Sequence, residues 1–317
     1  MRDHCRTWTT LATTLVLAST SVDDARLPRM ASVDAQAAPA PTDRFVTVSG
    51  QRMHVVDWGN AGRQPLVLIH GLDRVARTFD PVARHFSSTY HVVAYDMRGH
   101  GDSAWDPQGR YLVEDHVGDL AGIVDQLGLR DIVVWGNSTG GRVAQVFAGM
   151  RPDLVAGLIA EDVGPERPRQ IADAYARRVQ QEAAGWASEA ELAAAVRKGN
   201  AGMSQAVLDA YIQHGSRRNA EGRVVWKRDP NLVKGFVETD LWRFVRNITA
   251  PSLYLLGGRS TIVTPATQDE LRRALPRAQI VTMPGLGHYP SDEQPAEAMA
   301  IVESFLKTAP AQGPVPR

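Results

Sequence analysis

The sequence predicts an α/β fold, with a mostly parallel central sheet, helices on both of its faces and an inserted helical cap. Short, continuously apolar runs, which are typical of strands buried on both faces, alternate with helical segments along most of the chain. An alanine-rich helical stretch at about residues 165–247 interrupts this alternation, which then resumes. Hydrophobic residues make up 44% of the 317 residues and charged residues 22%, as in ordinary globular proteins.

The two ends of the chain differ from the rest. Residues 1–44 begin with basic residues and continue with an apolar run at 11–18, shorter than the roughly 20 residues of a membrane span, and then an Ala- and Pro-rich linker. This order predicts a signal peptide or leader, and therefore export to the periplasm or the medium; if the leader is no signal peptide, the protein is cytoplasmic. Residues 309–317 predict a disordered tail, which leaves a folded domain at 45–308.

The first part of this domain predicts a hairpin followed by strand–helix units. The hairpin strands are expected at residues 45–49 and 52–58, on either side of a turn at Gly50. Buried strands are then expected at 65–70, 91–96, 131–135 and 155–160, with helices at 75–86, 113–127 and 140–150. Because helices connect successive strands, the sheet is expected to be mainly parallel.

The second part predicts the cap and then the rest of the sheet. Cap helices are expected at 170–184, 188–198 and 205–214; later come strands at 251–256 and 279–283, and helices at 265–275 and 295–306. Three tryptophans of the cap, Trp186, Trp226 and Trp242, are candidates for a substrate pocket. The alternative is that they pack the cap onto the core.

One serine carries the strongest chemical signal. Gly136-Asn-Ser-Thr-Gly140 lies between a predicted buried strand and a predicted helix, the context of a nucleophile elbow. The turn is so tight that the serine backbone is strained and only glycine fits at the flanking positions. The hydroxyl then projects beside a helix N-terminus, whose free N–H groups favour a developing anion. Phosphate-loop spacings are absent from the sequence, so Ser138 is predicted to be a nucleophile.

With this elbow, the chain resembles an α/β-hydrolase over nearly all of residues 45–306. The other motifs that carry the resemblance follow predicted strands in the expected order: His70-Gly-Leu72, Asp96-Met-Arg-Gly-His-Gly-Asp-Ser103 and Gly285-Leu-Gly-His288. The resemblance implies that His288 is the general base, which suits the ordinary pKa of an imidazole. It also implies that the backbone N–H groups of Leu72 and Thr139 form the oxyanion hole.

The acid of the triad is the point of departure from the family pattern. The acid usually follows the strand after the cap, where this chain has Gly257-Gly-Arg-Ser-Thr-Ile-Val263, with Ser260 at the expected position. Some α/β-hydrolases place the acid one strand earlier, and here that strand ends in Glu161 and Asp162. Consecutive residues at a strand end point in opposite directions, so only one should face His288. Asp162 is preferred, and Glu161 is the alternative acid.

The predicted function is a cofactor-independent serine hydrolase that acts on a small carboxylic ester or lactone through an acyl-enzyme. The same triad could cleave a C–C bond or an amide, and a hydrolase-fold receptor with slow turnover is a further alternative. Equal numbers of basic and acidic residues, 35 of each, argue against a nucleic-acid partner. No membrane span is predicted, and with a single cysteine and no Cys or His cluster no metal site is predicted either. Oligomeric state has no signal in the sequence.

Overall fold

The computed structural model describes residues 40–308, so residues 1–39 of the predicted leader and linker, and the predicted tail, lie outside the described residues. The first strand begins at Thr42, inside the predicted linker. The chain begins with an antiparallel hairpin, β1 (Thr42–Val48) and β2 (Gln51–Asp57). It continues through β3 (Pro65–Ile69), α1 (Asp80–Phe86), β4 (His91–Tyr95), α2 (Val113–Gln126), β5 (Ile132–Asn137), α3 (Thr139–Met150) and β6 (Val155–Glu161). These elements follow the predicted order.

One predicted helix is divided. The helix expected at 75–86 consists of a short 3-10 helix, Ala76–Phe79, followed by α1. Pro81, the second residue of α1, has no N–H to donate to the preceding turn, so an α-helix can begin here but cannot run through this position.

The segment that follows β6 is mostly helical but also contains strands that the sequence did not predict. In order it holds β7 (Glu166–Arg167), α4 (Arg169–Glu182), α5 (Glu189–Gly199), α6 (Gln205–Gly215), β8 (Ser216–Arg218), β9 (Val224–Trp226), β10 (Thr239–Asp240) and α7 (Trp242–Val245). The four strands form two small antiparallel pairs, β7 with β10 and β8 with β9. Strands of two or three residues are too short to show a period-2 pattern, which explains why they were missed.

The chain then returns to the sheet with β11 (Ser252–Gly257), α8 (Pro265–Ala274), β12 (Gln279–Met283), α9 (Pro290–Glu293) and α10 (Pro295–Thr308). The eight strands of the main sheet have the order β1-β2-β4-β3-β5-β6-β11-β12. All neighbours from β4 to β12 are parallel, whereas β2 is antiparallel to both β1 and β4. The fold is therefore the predicted α/β architecture with an antiparallel edge.

Apolar residues on both faces of the sheet explain why its central strands are continuously apolar. Strands β3, β4 and β5 are buried along their whole length, and one core cluster lies on each face. Because neighbouring strands from β4 to β12 are parallel, their carboxyl ends lie at one edge of the sheet. The loops after β3, β5, β6, β11 and β12 meet at this edge. Within residues 40–308 no helix has both the length and the apolar composition of a membrane span.

Candidate active site

Ser138 occupies a strained turn between β5 and α3. Its backbone has φ 52° and ψ −115°, a conformation that a residue with a side chain rarely adopts. The turn is closed by glycines, because a Cβ on Gly136 would lie 2.3 Å from the Gly140 carbonyl oxygen, and one on Gly140 would lie 2.2 Å from the Ile69 carbonyl oxygen. The serine amide donates to the Glu161 carbonyl oxygen at 3.0 Å, which ties the turn to the end of β6.

Ser138, His288 and Asp162 form one hydrogen-bonded chain. His288 Nε2 lies 2.9 Å from Ser138 Oγ, and His288 Nδ1 lies 2.6 Å from Asp162 Oδ2. With the proton on Nδ1, the imidazole donates to the carboxylate and accepts the serine hydroxyl proton. Asp162 is 1% exposed and His288 lies on the loop after β12, so the chain links the ends of β5, β6 and β12.

The Asp162 carboxylate is oriented by the end of the neighbouring strand. The Gly257 amide donates to Oδ1 at 3.0 Å, and the Ser260 hydroxyl donates to Oδ2 at 2.5 Å. Asp162 itself has a left-handed backbone, φ 45°, which turns its side chain out of the strand direction. Ser260 occupies the position at which the sequence pattern places the acid. Its hydroxyl instead donates a hydrogen bond to the carboxylate of Asp162.

Glu161, the alternative acid, faces the opposite side of the strand end. One carboxylate oxygen accepts from the amide and hydroxyl of Ser291, both at 2.8 Å, and the other accepts from Trp135 Nε1 at 2.9 Å. Burial raises the pKa of Glu161 to about 7. The structure brings this carboxylate to Ser291 of α9 and not to the imidazole of His288, so the geometry does not support Glu161 as the acid.

The two predicted oxyanion donors lie beside the serine. Thr139 is the first residue of α3, where an amide has no acceptor within the helix. Leu72 lies on the loop after β3 and lines the same cavity as Ser138. Its carbonyl oxygen is 2.8 Å from His100 Nε2, and burial lowers the pKa of His100 to about 3, which keeps this imidazole neutral.

His70 fixes the loop that carries Leu72. Its Nε2 accepts from the Met97 amide at 2.9 Å, and its Nδ1 donates to the Gly71 carbonyl oxygen at 2.7 Å. Burial lowers the pKa of His70, which agrees with this neutral tautomer. His70 and His100 therefore hold the backbone of this loop in place.

A cavity of about 330 Å³ opens above Ser138, enough room for a small organic molecule. Among the residues that line it are Leu72, Ser138, Arg142, Arg167, Tyr175 and His288. None of the three predicted tryptophans lines this cavity. Trp186 and Trp226 line a second cavity, which shares Asp73, Arg178 and Tyr289 with the first.

The prediction that Trp242 lines a pocket is wrong. Trp242 is 6% exposed and belongs to the main core cluster, and its indole N–H donates to Glu166 Oε1 at 2.8 Å. It is the first residue of α7, which packs against α3, so its side chain fills the space between these helices. The alternative, packing against the core, holds for this residue.

The described chain contains one cluster of ligand-type side chains, formed by His54, Asp96 and Asp102, that could hold a metal ion. Hydrogen bonds already join these groups to each other and to the protein. His54 Nδ1 lies 2.7 Å from Asp96 Oδ2, and Asp102 pairs with Lys227 at 2.8 Å. None of the three lines the cavity above Ser138, so we assign them a structural part.

Sequence reasoning missed three polar residues at this site. Ser260 was treated as a vacant acid position, although its hydroxyl donates to the carboxylate of Asp162. Arg142 and Arg167 line the cavity, and neither was singled out. The available signal was weak: Arg142 is a cation in the first turn of the helix after the elbow, where the helix dipole disfavours positive charge.

The comparisons with known proteins agree with this fold. The profile described as "Alpha/beta hydrolase family" matches residues 66–301. The chain is 30% identical over 272 residues to the sn-1-specific diacylglycerol lipase ABHD11 of Mus musculus, covering 78% of this chain and 82% of that protein. It is 25% identical over 252 residues to Esterase YbfF of Escherichia coli (strain K12), covering 76% and 92%.

Among solved structures, that of E-2-(acetamidomethylene)succinate hydrolase superposes with a TM-score of 0.77 at 23% identity, covering 84% of this chain and 100% of that chain. At this identity the likeness supports the fold alone. The sequence relatives named as esterases and lipases support a hydrolase. The chain belongs to the alpha/beta hydrolase family.

Proposed function

We propose that the protein is a cofactor-independent serine hydrolase that cleaves a small carboxylic ester or lactone through an acyl-enzyme. The observation that carries the proposal is the continuous hydrogen-bond chain from Ser138 through His288 to Asp162. An imidazole bonded to a buried carboxylate on one nitrogen and to a serine hydroxyl on the other is the arrangement that activates serine as a nucleophile.

In the acylation step, Ser138 Oγ attacks the carbonyl carbon while His288 Nε2 takes the hydroxyl proton. The carbonyl oxygen becomes an anion and accepts hydrogen bonds from the amides of Leu72 and Thr139. Collapse of this intermediate breaks the bond to the alcohol oxygen, which receives the proton from His288. Asp162 holds the imidazole in the productive tautomer and stabilises its cationic form.

In the deacylation step, His288 removes a proton from water, and the resulting hydroxide attacks the acyl carbon. The bond to Ser138 Oγ then breaks, the serine regains its proton from His288, and the acid leaves. A lactone follows the same route, but its alcohol remains attached to the acyl group. The relatives named as a diacylglycerol lipase and an esterase both take their names from the hydrolysis of carboxylic esters, which supports this choice of bond.

The test is to react the folded protein with a fluorophosphonate probe and measure the intact mass. We expect one adduct on wild type and none on Ser138→Ala, with hydrolysis of short-chain 4-nitrophenyl esters lost in the same variant. Absence of an adduct on folded wild-type protein would contradict the proposal and favour a receptor.

A second measurement compares the bond types. Turnover of simple esters and lactones should exceed that of matched anilides and 1,3-diketones. Faster cleavage of the anilide or the diketone would retain the serine mechanism but assign the protein to amide or C–C bond hydrolysis.

A further inference from the structure

Two arginines next to the nucleophile have no counter-ion among the described residues. Arg142 lies in the first turn of α3, and its amide donates to the Ser138 carbonyl oxygen at 3.1 Å. The side chain is 3% exposed. One of its terminal nitrogens donates to the Glu166 carbonyl oxygen at 2.5 Å, but Nε is buried without a hydrogen-bond partner in the described chain.

Arg167 comes from β7 and lines the same cavity. It is 2% exposed, and its guanidinium lies 3.8 Å from the centre of the Phe236 ring. Nη1 donates to the Val237 carbonyl oxygen at 3.1 Å. Nε and Nη2 are buried and have no partner within residues 40–308.

No carboxylate neutralises either guanidinium in the described part of the chain. Glu166, whose carbonyl oxygen accepts from Arg142 and which directly precedes Arg167, uses its carboxylate to accept from Trp242 and Thr267. Asp73, a carboxylate that lines the cavity, is paired with Arg178 at 2.5 Å. Burial lowers the pKa of Arg142 and of Arg167, and for Arg167 the charge of Arg142 adds to the effect.

The remaining buried arginines of the described chain show what a structural arginine looks like in this protein. Arg74 pairs with Asp292 at 2.6 Å, and Arg98 makes two contacts of 2.6 Å with Asp119. Burying an unpaired charge costs several kcal/mol, so proteins normally provide such partners. Arg142, at the N-terminus of a helix, and Arg167 are exceptions, and both line the cavity of Ser138. This indicates that the negative charge that would pair with them comes from a ligand.

We propose that Arg142 and Arg167 bind a carboxylate of the substrate, so that the preferred ester or lactone carries a second, negatively charged group close to its scissile bond. The proposal rests on the proposed function, because it places that group in the cavity of Ser138. Guanidinium N–H groups match carboxylate oxygens in geometry and charge, and the dry cavity strengthens the contact. The free N–H groups of both side chains would then be satisfied.

Two matched pairs of substrates test the charge preference. One pair places the charge on the acyl side, 4-nitrophenyl hydrogen glutarate against 4-nitrophenyl valerate, and the other on the alcohol side, 3-acetoxypropionate against propyl acetate. In at least one pair, wild type should prefer the anion by about tenfold or more in kcat/KM. Arg142→Gln and Arg167→Gln should each lower kcat/KM for that anion by roughly 10- to 100-fold, the range for hydrogen bonds to charged groups, and for its neutral partner by less than about threefold.

The outcomes separate this proposal from the proposed function. If wild type hydrolyses the neutral esters and prefers the anion in neither pair, the carboxylate site is overturned and the serine hydrolase stands. If both variants lose activity equally on charged and neutral esters, the arginines act on the reacting carbonyl group and the proposal is again overturned. If no ester is cleaved and Ser138 does not react with the fluorophosphonate, the proposed function itself fails.

Thermal unfolding gives an independent readout with a matched control. Removing an unpaired buried charge should leave the Tm of Arg142→Gln and Arg167→Gln unchanged or raised, as expected where a binding site is maintained at a cost in stability. Arg74→Gln, which leaves Asp292 buried without its partner, should lower the Tm. A fall in Tm for the cavity variants as large as that for Arg74→Gln would show a structural role and contradict the proposal.

Discussion

The carboxyl ends of β6 and β11 lie side by side in the sheet but carry different groups. At the end of β6, Asp162 bonds the imidazole of His288, whereas the loop after β11 provides only a hydroxyl, that of Ser260, and an amide, that of Gly257. The amide of Asp162 in turn donates to the Leu255 carbonyl oxygen of β11 at 2.8 Å. The end of β6 therefore supplies the carboxylate of Asp162, and the end of β11 holds this carboxylate in place with two hydrogen bonds.

The position from which a carboxylate can reach the imidazole is therefore defined in space and not by one particular strand. Ser260 Oγ and His288 Nδ1 contact the same oxygen, Asp162 Oδ2. A carboxylate from either strand end could thus approach the imidazole. The common family pattern has the acid after β11, whereas in this chain the carboxylate that contacts His288 follows β6.

The largest effect is expected when the carboxylate at the end of β6 is removed. Asp162→Asn should lower kcat on a 4-nitrophenyl ester by roughly 10³- to 10⁴-fold, because an amide neither holds the same tautomer nor stabilises the imidazolium. Glu161→Gln is the matched control and should retain activity within about tenfold. Near wild-type activity in Asp162→Asn, together with a large loss in Glu161→Gln, would move the acid to Glu161.

The next effect concerns the stability of the β6 end. Because burial raises the pKa of Glu161 from 4.5 to about 7, the folded protein keeps this proton over a range of pH in which the unfolded chain loses it. The contribution of Glu161 to the free energy of unfolding is therefore complete below pH 4.5 and is lost as the pH rises to about 7. At roughly 1.4 kcal/mol per pKa unit, the loss is about 3 kcal/mol.

Urea unfolding of wild type and Glu161→Gln across this pH range measures the difference. In the variant, the part of the pH dependence of the free energy of unfolding that comes from residue 161 should be absent. Because the new amide faces the Trp135 N–H, the variant should also be less stable than wild type at every pH. An identical slope in both proteins would show that Glu161 titrates normally in the folded state.

A smaller effect tests whether the acid can move to β11. Asp162→Ser should be nearly inactive, and adding Ser260→Asp should recover about tenfold or more in kcat, because the new carboxylate starts where Ser260 Oγ now contacts Oδ2. The single variant Ser260→Asp serves as the control for crowding of two carboxylates. If the double variant is no more active than Asp162→Ser, the end of β11 can support the acid but cannot supply it.

The smallest effect removes only the support. Ser260→Ala should lower kcat by about three- to tenfold and leave KM unchanged, because Asp162 loses one hydrogen bond and keeps the Gly257 amide. Steady-state kinetics on a 4-nitrophenyl ester measures it. A loss as large as that of Asp162→Asn would mean that Ser260 takes a direct part in proton transfer.

Local patterns were enough to predict much of the fold and part of the site. The elbow glycines and the loop of His288 are short motifs whose geometry depends on neighbouring residues, so the sequence alone was enough to single out Ser138 and His288. The alternation of side chains at a strand end predicted that only one of Glu161 and Asp162 should face His288, but it did not decide which. Helix ends were less predictable. The helix α1 begins later than expected because Pro81 has no N–H to donate to the turn before it.

The amino-acid sequence by itself determined the order of strands and helices, the strained serine turn and the histidine loop, because each depends on backbone geometry over a few residues. Only the tertiary structure decided which carboxylate meets His288, that Ser260 supports it, that Trp242 packs in the core, and that Arg142 and Arg167 share one cavity. These contacts join residues distant in the chain, and their energies depend on burial and on partners that no local pattern reveals.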